Sequence, residues 1–354
     1  MDHIAQIAGK LADHQLDAML LASQAGERYA VGFHGEGLVL VTREGAHYST
    51  DSRYIEAARQ EVQGAQVELV TRERGHLALA AGYLQEHGLK RVGFESGAVS
   101  VDALARYERA LPCTLVPAQD LPDGLRASKD GEELAAMEKA QRITDEAFQA
   151  ILNFIRPGQT EREVAARLVY ELLRRGGERV SFDPIVAAGA NGSKPHAVPG
   201  DTVIQPGMFV TMDFGCVYEG YCSDMTRTVV VGKASEKQKE IYNIVLEAQL
   251  TSLAAVQPGK TGAEIDRIAR DIIGKAGYGD YFGHGLGHSV GLFIHEEPRL
   301  SPAGNEILQP GMTVTVEPGI YLPGVGGVRI EDLTAVTENG YENFASSPKE
   351  LIEI

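Results

Sequence analysis

The chain has 354 residues and is acidic, with 33 Lys and Arg against 49 Asp and Glu and a formal net charge of −16. This length predicts about two domains, and a hydrophobic fraction of 44% is typical of globular cores. An acidic surface repels nucleic acids and anionic membranes, so we expect neither as a partner. The sequence has no membrane-spanning apolar stretch, no secretory leader and only three cysteines, which predicts a cytoplasmic protein without structural disulfides.

The first predicted domain, 1–124, alternates helices with short strands. Apolar residues at helical spacing from Ile4 to Leu11 predict a helix at the start of the chain. The next predicted elements are strands at 18–22, 38–42, 67–70 and 92–94, with a helix at 76–87 between the last two. This alternation is typical of a three-layer α/β domain. A turn-rich stretch from Pro117 to Gly124 marks the predicted boundary.

The second predicted domain, 125–354, begins with a long helix that includes Leu134 and Leu152 and then contains an internal duplication. Residues 155–160 read Ile-Arg-Pro-Gly-Gln-Thr and match 256–261, Val-Gln-Pro-Gly-Lys-Thr, at an offset of 101. Residues 204–213 match 308–317 at an offset of 104. Two matches at nearly one offset predict two similar α+β halves, related by a pseudo-twofold axis.

The duplication aligns Asp213 with Glu317, each at the end of a run typical of a strand. Equivalent carboxylates would meet near the pseudo-axis, where like charges repel unless a cation lies between them. A hairpin centred on residues 218–219 would place Asp224 directly opposite Asp213. Glu331 follows Glu317 after fourteen residues, which requires a longer loop or a bulge. Four converging carboxylates suit two divalent ions about 3.5–4 Å apart, the alternative being ordinary turn and edge acids.

The second domain also contains four of the ten histidines. They are His196, His284, His288 and His295. The segment 283–288 reads Gly-His-Gly-Leu-Gly-His, and its glycines let the backbone approach a site closely. It lacks the Lys-Ser/Thr ending of a phosphate-binding loop. One imidazole among carboxylates favours Mn, Co, Fe or Zn over Mg or Ca.

On the basis of these residues, the chain resembles the pita-bread metallopeptidases, the family of aminopeptidase P, prolidase and methionine aminopeptidase. The resemblance covers essentially the whole chain, and Asp51-Ser-Arg-Tyr54 is similar to the creatinase-type amino-terminal domain of prolidases and aminopeptidase P. It implies an α/β three-layer, creatinase-like domain at 1–124. It also implies an α+β pita-bread catalytic domain with a pseudo-twofold duplication at 125–354.

The resemblance implies a peptidase that needs two divalent metal ions per chain, with Mn preferred and Co, Fe or Zn as alternatives. Asp213 would hold one ion through both oxygens, and His288 and Glu317 would hold the other. Asp224 and Glu331 would bridge the two ions. Two such ions lower the pKa of a water molecule towards neutrality, and Glu317 could carry its proton to the leaving nitrogen.

Further residues match family positions around the substrate. His196 and His295 would steady the scissile carbonyl and the tetrahedral intermediate, and His284 would line a proline pocket. Arg329 would orient a bridging carboxylate from outside the ligand set. Arg299 matches an arginine that binds the substrate's free carboxylate in prolidases, although it could also be an exposed loop charge.

The resemblance therefore predicts cleavage of Xaa-Pro bonds in proline-containing di- or oligopeptides by a homodimer. We expect an Xaa-Pro dipeptidase, with an Xaa-Pro aminopeptidase for longer peptides as the alternative. Methionine aminopeptidase is disfavoured because it usually lacks the extra amino-terminal domain, and creatinase because it lacks the metal ligands. A peptide-binding module without catalysis is the remaining alternative, against which the complete ligand set argues.

Overall fold

The structure is a computed structural model that describes residues 2–354. The chain forms two compact units, divided between Arg126 and Ala127. The division lies two residues after the boundary expected from the sequence. None of the helices in residues 2–354 combines the length and apolarity that a bilayer crossing requires.

The first unit contains a mixed sheet with the strand order β4-β3-β2-β1-β5-β6 in the described residues. Its elements are α1 (His3–Lys10), β1 (Ala18–Leu21), α2 (Gln24–Val31), β2 (Leu38–Thr42), β3 (Gly45–Thr50), α3 (Ile55–Glu61), β4 (Ala65–Leu69), α4 (His76–Glu86), β5 (Arg91–Phe94), α5 (Val101–Ala110), β6 (Thr114–Pro117) and α6 (Asp120–Ala127). The pairs β3–β4, β1–β5 and β5–β6 are parallel, whereas β1–β2 and β2–β3 are antiparallel.

Strand residues of the first unit alternate between two helical layers. Leu20, Leu40 and Phe94 pack with Leu84 of α4 in one apolar cluster. The alternate residues face the other side of the sheet, where α1 contacts β1, β2 and β3. The three-layer α/β architecture predicted from the sequence is therefore confirmed.

The prediction of a turn-rich stretch before Gly124 was wrong, because Asp120–Ala127 form α6. Pro122 lies in the first turn of this helix, where the missing N–H would have no intrahelical partner. By contrast, strand β2 has the predicted bounds, and α4 ends one residue earlier than predicted.

The second unit carries both halves of the duplication. Its helices are α7 (Gly131–Leu152), α8 (Glu161–Arg174), α9 (Glu236–Ala254) and α10 (Gly262–Lys275), with short 3₁₀ segments at Gly189–Ser193 and Gly279–Tyr281. Its strands are β7 (Arg179–Val180), β8 (Ile185–Ala188), β9 (Phe209–Phe214), β10 (Cys216–Tyr218), β11 (Tyr221–Cys222), β12 (Met225–Val230), β13 (Gly287–Ser289), β14 (Glu296–Leu300), β15 (Thr313–Val316), β16 (Gly319–Leu322), β17 (Gly326–Arg329), β18 (Asp332–Thr337), β19 (Gly340–Asn343) and β20 (Ile352–Glu353).

The two halves begin in the same way, which confirms the duplication. Helix α8 starts with a capping box between Thr160 and Glu163, and α10 starts with one between Thr261 and Glu264. A hydroxyl acceptor and a glutamate three residues later satisfy backbone donors that a helix start leaves open. The Pro-Gly turns before the helices are held by equivalent backbone bonds, Gly158 N to Ile204 O at 3.0 Å and Gly259 N to Leu308 O at 2.9 Å.

Each half contributes one antiparallel ribbon to the centre of the unit. In the first half β9 pairs with β12; in the second half β15 pairs with β18, and the same ribbon continues as β16 paired with β17. The ribbons meet where Thr228 Oγ1 donates to the Arg329 carbonyl at 3.0 Å. Behind them, α7 and α8 cover one apolar cluster, and α9 and α10 cover another. The candidate site residues lie at the junction of the two ribbons.

Candidate metal centre

One cavity of about 590 Å³ in the second unit is lined by every site residue proposed from the sequence. These residues are His196, Asp213, Asp224, His284, His288, His295, Arg299, Glu317, Arg329 and Glu331. They come from both halves of the duplication, so the cavity lies at the pseudo-axis.

The first pair of carboxylates does not have the predicted register. Strand β9 pairs Asp213 with Thr226, not with Asp224, because the turn is centred on Glu219 and Gly220. Both turn residues have positive φ, 48° and 84°, as the tight primed turns of hairpins require. The register differs by two residues, so Asp224 still points to the same face as Asp213.

Gly215 makes room for Asp224 beside Asp213. A Cβ at position 215 would lie 1.9 Å from the Ser223 carbonyl oxygen. The side chain of Asp224 is 6% exposed. A larger residue at 215 would therefore push the Ser223–Asp224 backbone away from the centre.

The second pair of carboxylates follows one continuous register. Val316 pairs with Asp332, and beyond the centre Gly319 pairs with Arg329 at the same register. By the same register, Glu317 and Glu331 lie opposite each other, between the two paired segments. The spacing of fourteen is accommodated by the loop at 323–325, which joins β16 to β17.

His288 presents its Nε2 atom to these carboxylates. Its Nδ1 lies 3.1 Å from the Ser289 carbonyl oxygen, which can only accept, so Nδ1 carries the hydrogen. Nε2 then has a free lone pair, 3.6 Å from Asp224 Oδ2 and 3.4 Å from Glu317 Oε1. Asp224, His288 and Glu331 each offer one potential ligand atom, and these three atoms lie within 4.8 Å of one another.

The electrostatics of the centre fit divalent cations. Burial, and then the neighbouring carboxylates, raise the pKa of Asp224 and Glu331 well above their usual range. Burial likewise raises the pKa of Glu317 to about 8. Burial also lowers the pKa of His288 to about 3, so its imidazole is neutral. The carboxyl groups resist ionising together because their negative charges would repel one another, and bound cations would stabilise the ionised forms. The neutral imidazole of His288 keeps a lone pair that can bind a cation.

Asp213 gives a second, geometric sign that a cation fits. Its Oδ1 atom is buried, and no donor in residues 2–354 lies within hydrogen-bond distance of it. Its Oδ2 atom accepts from Arg329 Nη2 at 2.6 Å. An orphaned buried oxygen is costly unless a ligand contacts it.

Arg329 connects the carboxylates. It contacts Asp213 directly but reaches the expected bridging residue Glu331 only through Thr226. Arg329 Nε donates to Thr226 Oγ1 at 3.0 Å, and Thr226 Oγ1 donates to Glu331 Oε2 at 2.5 Å. The sequence analysis did not identify Thr226, because the predicted register placed Asp224, and not Thr226, opposite Asp213.

Tyr321 is a second residue that sequence reasoning missed. Its hydroxyl accepts from Arg329 Nη1 at 2.8 Å and lies 2.8 Å from His284 Nε2. His284 Nδ1 lies 2.8 Å from the Gly285 carbonyl oxygen, so Nε2 is the acceptor of the Tyr321 hydroxyl hydrogen. An available signal was its position four residues after Glu317 on the same ribbon, hence on the same face.

The remaining histidines line the cavity without a direct bond to the carboxylates. The His295 ring packs edge-on against the His288 ring, with centroids 4.5 Å apart. His196 follows Pro195, whose carbonyl oxygen accepts from Arg329 Nη1 at 3.3 Å.

Arg299 lies directly opposite His288 in the β13–β14 ladder. Two glycines closely approach its carbonyl oxygen, since a Cβ at Gly262 or Gly304 would lie 2.0 or 2.2 Å from it. Its side chain is 40% exposed, and Nε lies 3.3 Å from Glu297 Oε1. Arg299 therefore lines the cavity from a fixed backbone while also forming an exposed ion pair.

Comparison with known families agrees with this arrangement. Residues 135–338 match the model of metallopeptidase family M24, and residues 3–128 match the creatinase/prolidase N-terminal domain. The chain belongs to metallopeptidase family M24. The resemblance inferred from the sequence is confirmed, as are the pita-bread fold and the assignment as an enzyme.

Relatives and solved structures of the family match over nearly the full length. The uncharacterized peptidase YqhT of Bacillus subtilis is 43% identical, with 99% of each chain covered. The structure of an Xaa-Pro dipeptidase from Bacillus anthracis has 42% identity and a TM-score of 0.96, covering 100% of this chain and 99% of the other. That of an X-Pro aminopeptidase from Thermotoga maritima has 34% identity and a TM-score of 0.92, covering 96% and 98%.

Proposed function

We propose that this M24 enzyme is a two-metal Xaa-Pro dipeptidase. The observation that carries the proposal is the convergence of four carboxylates and the His288 Nε2 atom in one cavity that Arg299 also lines. The Bacillus anthracis structure, named as an Xaa-Pro dipeptidase, supports the same substrate class by its similarity.

Five residues would hold the metal ions. These are Asp213, Asp224, His288, Glu317 and Glu331, which would hold the two ions between them. When bound, two such ions polarise a carbonyl and lower the pKa of a water molecule. One imidazole among carboxylates suits Mn, which we prefer, as well as Co, Fe or Zn.

The chain's own residues would orient the substrate and move its protons. His196 and His295 line the cavity. They would donate hydrogen bonds to the scissile carbonyl oxygen as it gains charge. Glu317 would take a proton from the attacking water and deliver it to the proline nitrogen, which has no hydrogen of its own. His284, held by Gly285 and Tyr321, would form a wall of the proline pocket.

Arg299 favours dipeptides over longer peptides. A guanidinium binds a carboxylate through two parallel hydrogen bonds, and a dipeptide presents its carboxylate directly after the proline ring. The alternative is an Xaa-Pro aminopeptidase, which would leave that side of the site open. The likeness to the Thermotoga maritima X-Pro aminopeptidase favours this second candidate.

A substrate series would decide between the two candidates. We expect the Mn-loaded enzyme to cleave Met-Pro faster than Met-Pro-Ala and to leave Met-Ala intact. Arg299→Gln should raise KM for Met-Pro and have little effect on Met-Pro-Ala. Arg162→Gln, which changes an exposed arginine with a 67% accessible side chain, is the matched control. Equal or faster cleavage of the tripeptide would support the aminopeptidase, and no cleavage of any Xaa-Pro peptide would support a binding module.

We also propose that the enzyme is a cytoplasmic homodimer. Three free cysteines, two of them buried, support a reducing compartment. Light scattering of the purified protein would test the dimer, which a monomeric mass would contradict.

A further inference from the structure

The segment 182–184 forms a bulge beside the candidate metal centre. On one side of it, Ser181 N donates to the Gly215 carbonyl at 3.1 Å, and on the other Ile185 pairs with Asp213. Residues 182–184, which connect β7 to β8, therefore lie opposite the single residue Phe214. Such bulges push side chains out of a sheet and are common beside active sites.

Asp183, in the middle of this bulge, is a carboxylate that the metal centre does not use. It lines the cavity and is exposed, whereas the four candidate ligand carboxylates are largely buried. Within residues 2–354, no hydrogen bond or ion pair engages its side chain. The following Pro184 restricts Asp183 to extended backbone conformations, which fixes the direction of the bulge.

The duplication places Asp183 across the pseudo-axis from the proline pocket. At the offset of 101 that relates the two helix starts, Asp183 corresponds to His284. The two residues precede equivalent strands, since β8 contacts β9 and β13 contacts β15. If His284 borders the proline ring, then Asp183 borders the residue on the other side of the scissile bond.

The exposure of Asp183 indicates which group of the residue before proline it can contact. The α-ammonium nitrogen is only two bonds from the scissile carbonyl carbon, about 2.5 Å away, so it stays at the level of the buried carboxylates. Because Asp183 is exposed, we expect the end of a longer side chain, and not the α-ammonium, to reach it. Apolar Phe182 and Ile294 also line the cavity and could cover the methylene stem of such a side chain.

We propose that Asp183 binds the cationic end of a long side chain, Lys or Arg, in the residue before proline. This inference rests on the proposed Xaa-Pro activity and assigns its substrate class on the amino-terminal side. The substrate would then be held at two ends, its side-chain cation by Asp183 and its carboxylate by Arg299.

Three dipeptides of similar length test the assignment: Lys-Pro, Met-Pro and Glu-Pro. The wild-type enzyme should have the highest kcat/KM with Lys-Pro and the lowest with Glu-Pro. Asp183→Asn should lower the Lys-Pro to Met-Pro ratio by about twofold to fivefold, the range of an exposed ion pair. Asp183→Lys should reverse the order of Lys-Pro and Glu-Pro. Glu338→Lys changes an exposed acid outside the cavity by the same charge and should leave the ratios unchanged.

Met-Pro is the internal reference for folding and catalysis. An unchanged Lys-Pro to Met-Pro ratio in both Asp183 variants would overturn the inference while leaving the Xaa-Pro activity intact. An equal change with all three dipeptides would also overturn it, because the α-ammonium common to them would then be the partner. If the wild type cleaves none of them, the proposed function fails first. The wild-type preference should disappear in about 1 M salt, where the Debye length is about 3 Å.

Discussion

The buried ion pair between Arg227 and Asp332 should be essential for the stability of the second unit. The two side chains are 1% and 0% exposed, and Arg227 Nη2 lies 2.8 Å from Asp332 Oδ1. The other carboxylate oxygen, Oδ2, accepts from Gln249 and Asn343 and pairs with Lys349. In residues 2–354, every hydrogen bond that this carboxylate accepts therefore comes from an N–H donor.

Asp332→Asn keeps the shape of the side chain but removes its charge. On whichever side the new amide group lies, its N–H atoms would face N–H donors. Removing one partner of a buried pair costs about 3–5 kcal/mol. At about 2–4 °C per kcal/mol for a unit of this size, the melting temperature should fall by roughly 6–20 °C.

The assay is thermal unfolding of the metal-free protein, because metal binding would itself shift the melting temperature. The control is Glu236→Gln, which removes an exposed pair whose Lys239 and Glu236 side chains are 44% and 91% accessible. The control should cost less than about 1 kcal/mol. A loss as small as this in Asp332→Asn would refute the reasoning. Mn²⁺ binding to Asp332→Asn should also weaken, because Arg227 Nη1 donates to the Glu331 carbonyl at 2.5 Å.

Two further predictions concern His284 and Gly215. Burial, followed by the charge of Arg329, lowers the pKa of His284 to about 4, so its ring should remain neutral as the pH falls from 6.5 to about 5. An NMR titration, with His284→Gln to identify the signal, would contradict this if the midpoint lay near 6.5. Gly215→Ala should lower the melting temperature and weaken Mn²⁺ binding, because its Cβ would lie 1.9 Å from the Ser223 carbonyl. Gly274→Ala in helix α10 meets nothing within 4 Å and should raise the melting temperature by stabilising the helix; equal behaviour of the two variants would refute the close-approach argument.

The sequence predicted that carboxylates of the two halves converge, because local signals specify the duplication. Pro-Gly turns and capping residues at Thr160 and Thr261 specify the same start in each half. Once the halves are aligned, Asp213 and Glu317 must be equivalent. The convergence of these carboxylates could thus be inferred without knowing any distance, whereas the roles of the histidines and arginines were expected from the resemblance to the family.

The register could not be inferred, because it depends on the backbone conformation of a two-residue turn. Because Glu219 and Gly220 adopt positive φ, the turn is centred one residue later than predicted. The partner of each strand residue therefore differs by two positions from the predicted one. Contacts that cross between the ribbons, such as Thr226 with Glu331, follow from that register. The spacing of Tyr321 from Glu317 indicates that both lie on one face, but its hydroxyl contacts with Arg329 and His284 follow only once the register is known.

Helix α6 shows a different limit. Its sequence contains Pro122, Asp123 and Gly124, each of which is typical of a turn. The buried side chains of Leu121 and Arg126 show that tertiary packing overrides this local preference.

The central claim is that both halves of the duplication contribute ligands to one pair of cations. Anomalous diffraction at the manganese edge, from crystals equilibrated with Mn²⁺, tests it directly. The account predicts two peaks per chain, about 3.5–4 Å apart. One peak should lie against Asp213, the other against His288 and Glu317, with Asp224 and Glu331 between them. A single peak, peaks elsewhere, or no peak among these side chains would contradict it.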